Sequence, residues 1–226
     1  MTARAVDVIE AGLVPYDEAL EWQRSLAAAR IDGRLARDVI LLLEHPPVVT
    51  LGRNARAGHV LGPCDLPVVE VERAGDVTFH GPGQLVGYPI LDLGGYRRDL
   101  HWYLRTLEQA LIDALAQLDI PAERRPGYTG VWTSGGGRKI ASIGVHVKQW
   151  VTWHGFALNV TTDLSHFERI VPCGIPGVAM TSIQQETRKR KGERDLWEQT
   201  VQAVIRGFTK AFDVTITPSR EGILHP

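Results

Sequence analysis

Two strand-like runs meeting across a short turn constrain the fold more than any other stretch. They lie within KIASIGVHVKQWVTWHGFALNV, residues 139–160. Ile143, Val145 and Val147 alternate along residues 140–147, the period of a half-buried strand, and residues 151–160 read as the hairpin partner. Other strand-like stretches surround this pair. Residues 5–13 form a candidate first strand, and DVILLLE (38–44), with its consecutive apolar residues, reads as a buried strand. His45-Pro46-Pro47 interrupts it before residues 48–51 resume, so an irregular strand or sheet edge is expected there. Residues 68–71, 86–93 and 128–132 add further short strands. Gly81-Pro82-Gly83 is a strong turn signal that reads most simply as a glycine-rich hairpin.

Helical periodicity is confined to a few segments. Tyr16 to about Ile31 carries an apolar stripe of Leu20, Trp22, Leu26 and Ala27 and stops at Gly33. Residues 99–118 form the clearest helix, with Leu104, Leu107, Leu111, Leu115 and Leu118 recurring at spacings of three and four. A third helix is expected over 195–208 with Asp195 as N-cap, and a short one over 181–185. Hairpins rather than regular βαβ units predict an α+β class: a single domain over residues 1–226 with a mixed, largely antiparallel sheet flanked by helices. Residues 213–226 are expected to add one strand before a loosely attached tail.

Composition narrows the functional classes. The net charge of -1 argues against bulk electrostatic binding of nucleic acid. Two cysteines, Cys64 and Cys173, are too few for a secreted disulfide scaffold. Asp7 and Glu10 come too early for a signal peptide's apolar region, and no apolar run reaches the ~18 residues of a membrane span. A soluble, cytoplasmic chain in a reducing compartment is expected. The basic run 188–191 reads as a solvated loop or a docking point for an acidic partner.

The cysteines differ in their surroundings. Cys64 has no His, Lys or Arg within two residues and reads as a bystander thiol. Cys173 lies between Pro172 and Gly174, which suggests a loop apex, and a thiol there is either buried and structural or reactive. A reactive thiol needs a neighbouring cation to favour the thiolate, and Lys139, Lys148 and Arg169 are candidates. His80, His146, His154 and His166 are candidate bases. Metal binding has little support: HExxH, CxxC and close histidine pairs are all absent. The glycines at 75, 81 and 83 have neither dinucleotide-site nor phosphate-loop spacing.

Five segments carry a family resemblance: EHPPVVTLGR (44–53), RAGDVTFHGPGQLVGYPILDL (73–93), GYTGVW (127–132), the strand pair 139–160, and PCGIPG (172–177). Together they resemble the lipoyl(octanoyl) transferases, and the resemblance runs from residue 10 to about residue 210. It implies the fold of the biotin and lipoate protein ligases. It implies an acyl-accepting Cys173 and a partner Lys139, which stabilises the thiolate and acts as a base. Arg73, Ala74, Gly75, Asp76, Val77, Thr78, Phe79 and His80 would match the family's glycine-rich substrate strand. Ser142, Ile143, Gly144, Gly155, Phe156 and Ala157 would match two further substrate-lining segments. Ala74 stands where the family commonly has glycine, and its methyl is expected to narrow the pocket slightly. Phe79 replaces the usual tyrosine.

The implied reaction moves an octanoyl group from the phosphopantetheine arm of acyl carrier protein to a lysine of a lipoyl domain. The expected acceptors are the lipoyl domains of 2-oxoacid dehydrogenase complexes and the glycine cleavage H protein. A monomer is expected, with no cofactor, no ATP, no metal, and no nucleic-acid or membrane partner. Ile143, Phe156 and Leu158 are candidate linings for the acyl chain, and His80 is expected to orient substrate or the thiol. Backbone amides near Gly144 or Cys173 are candidate oxyanion donors. An ATP-dependent ligase would share the fold without needing the cysteine, a silent scaffold would not become acylated, and a cysteine hydrolase would release free octanoate.

Overall fold

The computed structural model describes residues 4–62, 65–135, 137–187 and 193–219. Cys64 and the basic run 188–191 lie outside the described residues, as does the tail from residue 220.

The chain begins with β1 (Arg4–Leu13), α1 (Tyr16–Ile31) and β2 (Asp38–Glu44). β1 and β2 pair in parallel, so the first three elements form a βαβ unit. The expectation of hairpins alone therefore fails at this end of the chain, where α1 connects two parallel neighbours. β3 (Val48–Leu51), β4 (Val68–Glu70) and β5 (Val77–His80) follow, then β6 (Gln84–Ile90) and α2 (Leu100–Ala116). Four strands come next: β7 (Ala122–Glu123), β8 (Val131–Thr133), β9 (Lys139–Lys148) and β10 (Val151–Asn159). The chain ends with α3 (Ile183–Thr187), α4 (Glu193–Phe212) and β11 (Val214–Pro218).

Eight strands form one sheet in the order β11-β1-β2-β6-β10-β9-β8-β7, parallel at the β11-β1-β2 end and antiparallel beyond. β4, β3 and β5 form a second, smaller sheet. The mixed, largely antiparallel α+β architecture matches the expectation. β2 shows why its sequence is uninterrupted apolar. Ile40 and Leu42 pack in the cluster that α2 and α4 cover, while Val39, Leu41 and Leu43 pack beneath α1. Both faces of this strand are buried, so both alternate sets are apolar.

His45-Pro46-Pro47 marks more than an irregular edge: the chain leaves the large sheet there and enters the small one. Gly81-Pro82-Gly83 marks the return. β5 and β6 belong to different sheets, so this turn is a corner between sheets and not a hairpin. The β9–β10 hairpin forms as expected, with Lys148 opposite Val151. Its two turn residues, Gln149 and Trp150, have φ of 49° and 66°. This is the doubly left-handed turn whose twist suits a two-residue hairpin, built here without glycine or asparagine.

Asp99 caps α2 by accepting from the Trp102 N–H at 3.0 Å. Asp195 is not the N-cap of α4, which begins at Glu193, and that helix continues to Phe212, beyond the expected end at residue 208. β11 realises the strand expected after residue 213 and joins β1 in parallel.

Candidate active site

Cys173 and Lys139 are 34 residues apart in sequence, and backbone pairing brings them together. The chain following Cys173 runs alongside the start of β9: Lys139 N–H donates to the Ala179 carbonyl (2.8 Å), and Thr181 N–H donates to the Lys139 carbonyl (2.9 Å). The chain preceding Cys173 is held from the other side, where Val171 N–H donates to the His59 carbonyl (2.8 Å). Between these anchors Pro172–Gly174 makes a 3₁₀ turn in which Cys173 is left-handed, with φ 56° and ψ 21°.

The turn delivers Cys173 Sγ to 3.0 Å from Lys139 Nζ and 3.5 Å from Ser142 Oγ. Lys139 is 1% exposed. Its ammonium also reaches the Thr129 carbonyl (3.4 Å) and stands 5.0 Å from the centre of the Trp132 ring. Burial pushes the Cys173 thiol up. The Lys139 charge, hydrogen bonds with Ser142 and Lys139, and the Arg73 charge outweigh that effect and leave it below the ordinary thiol value. The other candidate cations are engaged elsewhere or remote: Arg169 pairs with Asp65, and Lys148 ends β9 at the hairpin.

Gly174 is required by the turn. Its φ is +67°, and a Cβ there would lie 2.5 Å from Asp76 Oδ2. Gly174→Ala is therefore expected to lower Tm by several degrees. The left-handed backbone alone costs roughly 1–2 kcal/mol, before the carboxylate is displaced. Thermal denaturation and the rate of iodoacetamide alkylation of Cys173 measure the two effects, and the alkylation rate should fall as the thiol leaves Lys139.

Beside the thiol lies a pocket of about 370 Å³. Arg73, Gly75, Asp76, Thr78, His80, Ser142, Ile143, Gly144, Gly155, Phe156 and Ala157 all line it, together with Lys139 and Cys173. The segment 73–80 meets β9 closely: a Cβ on Gly144 would stand 2.8 Å from the Ala74 carbonyl oxygen. Val77 and Phe79 do not face the pocket. They alternate with Thr78 and His80 along β5 and pack with Phe167 and Ile170 beneath the small sheet. Ala74 is exposed and outside the lining, so its methyl does not narrow the pocket. Leu158 belongs to the core under α2 and α4.

Arg73 is buried and fixed by Thr50, with its guanidinium donating to the Thr50 carbonyl and hydroxyl at 2.8 Å each. His80 Nδ1 donates to Gln84 Oε1 (2.8 Å), and the Gln84 amide donates in turn to Asn159 Oδ1 (3.0 Å). Burial, with the neighbouring His45 and Arg73, holds His80 well below the ordinary imidazole value, so its ring is neutral at pH 7. His146 packs against Trp153 with the rings tilted by 49°, His166 stacks on Phe79, and neither lines the pocket. His154 does line it, and burial lowers its pKa.

Sequence reasoning did not single out two further lining residues, Tyr16, which opens α1, and Tyr88 on β6. His45 Nδ1–H donates to the Val14 carbonyl (2.7 Å), leaving Nε2 to accept from the Tyr88 hydroxyl (2.7 Å). Burial lowers His45 to about 4 and raises Tyr16 to about 12, so both are uncharged. The motif GYTGVW held a partial signal, since Gly127, Tyr128 and Thr129 also line the pocket. The arrangement is thus a thiol polarised by a buried ammonium, opening onto a cavity whose histidines are neutral. It is equipped for nucleophilic attack on an acyl carbon.

Residues 15–212 match the family model for the lipoyl protein ligase A/B catalytic domain. The chain is 58% identical to an octanoyltransferase of Gloeobacter violaceus over 189 residues, 78% of this chain and 84% of the relative. It is 48% identical to an octanoyltransferase of Solibacter usitatus over 92% of this chain and 93% of the relative. Among solved structures, lipoate-protein ligase A bound with ATP aligns with a TM-score of 0.74 at 16% identity, covering 97% of this chain and 89% of that one. A bipartite lipoate protein ligase from Thermoplasma acidophilum aligns with a TM-score of 0.72 at 16% identity, covering 97% and 87%. At such identities these two likenesses concern the fold.

Proposed function

This chain belongs to the lipoyl protein ligase A/B catalytic-domain family, and we propose that within it the protein is an octanoyltransferase working through a covalent octanoyl-Cys173 thioester. The observation that carries the mechanism is the 3.0 Å contact between Lys139 Nζ and Cys173 Sγ at the wall of the pocket.

The Cys173 thiolate attacks the carbonyl carbon of an octanoyl thioester on the phosphopantetheine arm of acyl carrier protein. The old C–S bond breaks, and Lys139 gives its proton to the departing thiolate. The acyl chain extends into the pocket against Ile143 and Phe156, where each buried methylene contributes about 0.8 kcal/mol. A lysine of a lipoyl domain then attacks the acyl-enzyme and forms an amide, with Lys139, now neutral, positioned to accept a proton. Arg73, Thr78, His80, Ser142, Gly144, Gly155 and Ala157 shape and hold this substrate space.

The acceptors in this reading are the lipoyl domains of 2-oxoacid dehydrogenase complexes and the glycine cleavage H protein, and the setting is the cytoplasm. No helix among the described residues is long and apolar enough to cross a membrane. Thioester exchange is nearly balanced in free energy and amide formation is downhill, so neither ATP nor a metal is needed. The test is donor choice. With a lipoyl domain as acceptor, octanoyl carrier protein should give octanoylated product without nucleotide, and free octanoate with ATP and Mg²⁺ should give none. The opposite pattern would identify a ligase that activates free acid.

A further inference from the structure

Aminolysis of the Cys173 thioester releases two protons, and Lys139 accepts only one. The incoming amine arrives as an ammonium at neutral pH. It loses one proton to become a nucleophile and a second after the C–N bond forms. Lys139 has a single vacancy, created when it protonated the departing pantetheine thiol. A second acceptor must therefore reach the amine.

Cys173 also forms part of the wall of an outer cavity of about 580 Å³, lined by Asn54, Arg56, His59, Asp76 and Gly174 among others. His59 Nδ1 lies 2.8 Å from Asp76 Oδ2 and donates to it, so in the neutral ring the hydrogen sits on Nδ1 and Nε2 is the acceptor. Among the described residues nothing hydrogen-bonds to Nε2, and the His59 side chain is 19% exposed. Asp76 is itself fixed, since Oδ1 accepts from the Val77 N–H at 2.7 Å and Oδ2 abuts Gly174. The His59 carbonyl holds Val171, two residues before the thiol. The imidazole is therefore built into the frame of the nucleophile turn, with an orienting carboxylate behind it.

We propose that His59, oriented by Asp76, is the second proton acceptor and takes the first proton from the acceptor lysine. An N–H bond of the ammonium breaks, its electron pair becomes the nucleophilic lone pair, and the proton passes to His59 Nε2. The amine nitrogen bonds to the thioester carbon and the carbonyl π pair moves to oxygen. The second proton passes to Lys139 Nζ. The carbonyl re-forms as the C–S bond breaks, and that pair leaves on Sγ as a thiolate facing the renewed Lys139 ammonium. Nothing is oxidised or reduced, and the imidazolium returns its proton to water through the outer cavity.

This inference rests on the acyl-enzyme reading, and the test separates the two. Single-turnover intact-mass measurements follow loading of His59→Gln from octanoyl carrier protein, then discharge to a lipoyl domain or to hydroxylamine, an amine already unprotonated at pH 7. Loading and discharge to hydroxylamine should stay within about threefold of wild type, while discharge to the lipoyl-domain lysine should slow by about 10²-fold or more. The same contrast is expected of His59→Asn, which keeps the assignment testable if one variant folds poorly. Wild-type discharge to lysine would overturn it, as would equal slowing of all three steps, which would make His59 structural. A wild-type chain that never loads would overturn the acyl-enzyme reading first and this one with it.

Discussion

Cys173→Ser should reduce octanoyl transfer to a lipoyl domain by about 10⁴-fold or more, the scale seen when a covalent nucleophile is lost. The substitution nearly preserves shape. Cys173 sits in a turn fixed by backbone bonds to Val171 and by Gly174, and none of these contacts involves sulfur. Tm should therefore stay within about 2 °C of wild type. The chemistry is what changes. A thiol lies close enough to ionisation for one ammonium at 3.0 Å to favour the anion, and an alcohol does not. Steady-state turnover with octanoyl carrier protein measures this, and substantial activity in the serine variant would remove Cys173 from the reaction.

Lys139→Met should give the second largest effect. Methionine fills most of the buried space of the lysine stem and removes the cation. Burial then continues to push the Cys173 thiol up, opposed by the Ser142 hydrogen bond and the Arg73 charge. Losing an opposite charge at contact distance should raise the thiol pKa. The pH profile for iodoacetamide alkylation of Cys173 should move upward accordingly. Turnover at pH 7 should fall by about 10²–10³-fold, because the thiolate fraction and the proton relay are lost together. An unmoved alkylation profile would show that Lys139 does not set the state of the sulfur.

The sequence was legible where local pattern and burial agree. The 139–160 hairpin and the leucine spacing of α2 follow from periodicity, and the burial of β2 follows from its run of consecutive apolar residues. The crossings between sheets were not legible. His45-Pro46-Pro47 and Gly81-Pro82-Gly83 announce a break in direction, but a turn signal carries no information about which sheet receives the next strand. The parallel β1–β2 pairing was lost for a similar reason, since one βαβ unit has no signature beyond a helix between two strands.

The site divides along the same line. Bottom-up, the residues offered a thiol, three cations and four histidines, and nothing in spacing alone selects Lys139 over Lys148. The selection came from resemblance, and the structure supplies its physical basis in the pairing of residues 179–181 with the start of β9. Strand alternation divides the 73–80 motif: Thr78 and His80 face the pocket, while Val77 and Phe79 support the small sheet. A contiguous motif thus contains two functions that period two keeps apart. Tyr16 and His59 escaped notice because they lie outside the motif segments, while Tyr88 lay within the 73–93 motif without being singled out and Asp76 was named without its histidine partner.

Cys173 borders an inner pocket suited to an acyl chain and an outer cavity open to a reaction partner. That placement suits a covalent intermediate. The acyl group can stay in the inner pocket while one carrier departs and another arrives, so the two large partners never need to share the site. The most direct measurement is intact-mass and peptide mapping after incubation with octanoyl carrier protein, with ATP and acceptor absent. The account predicts one added octanoyl group on the Cys173 peptide, lost when a lipoyl domain is added and matched by the same gain there. An unlabelled chain, or a label on any residue other than Cys173, would contradict it.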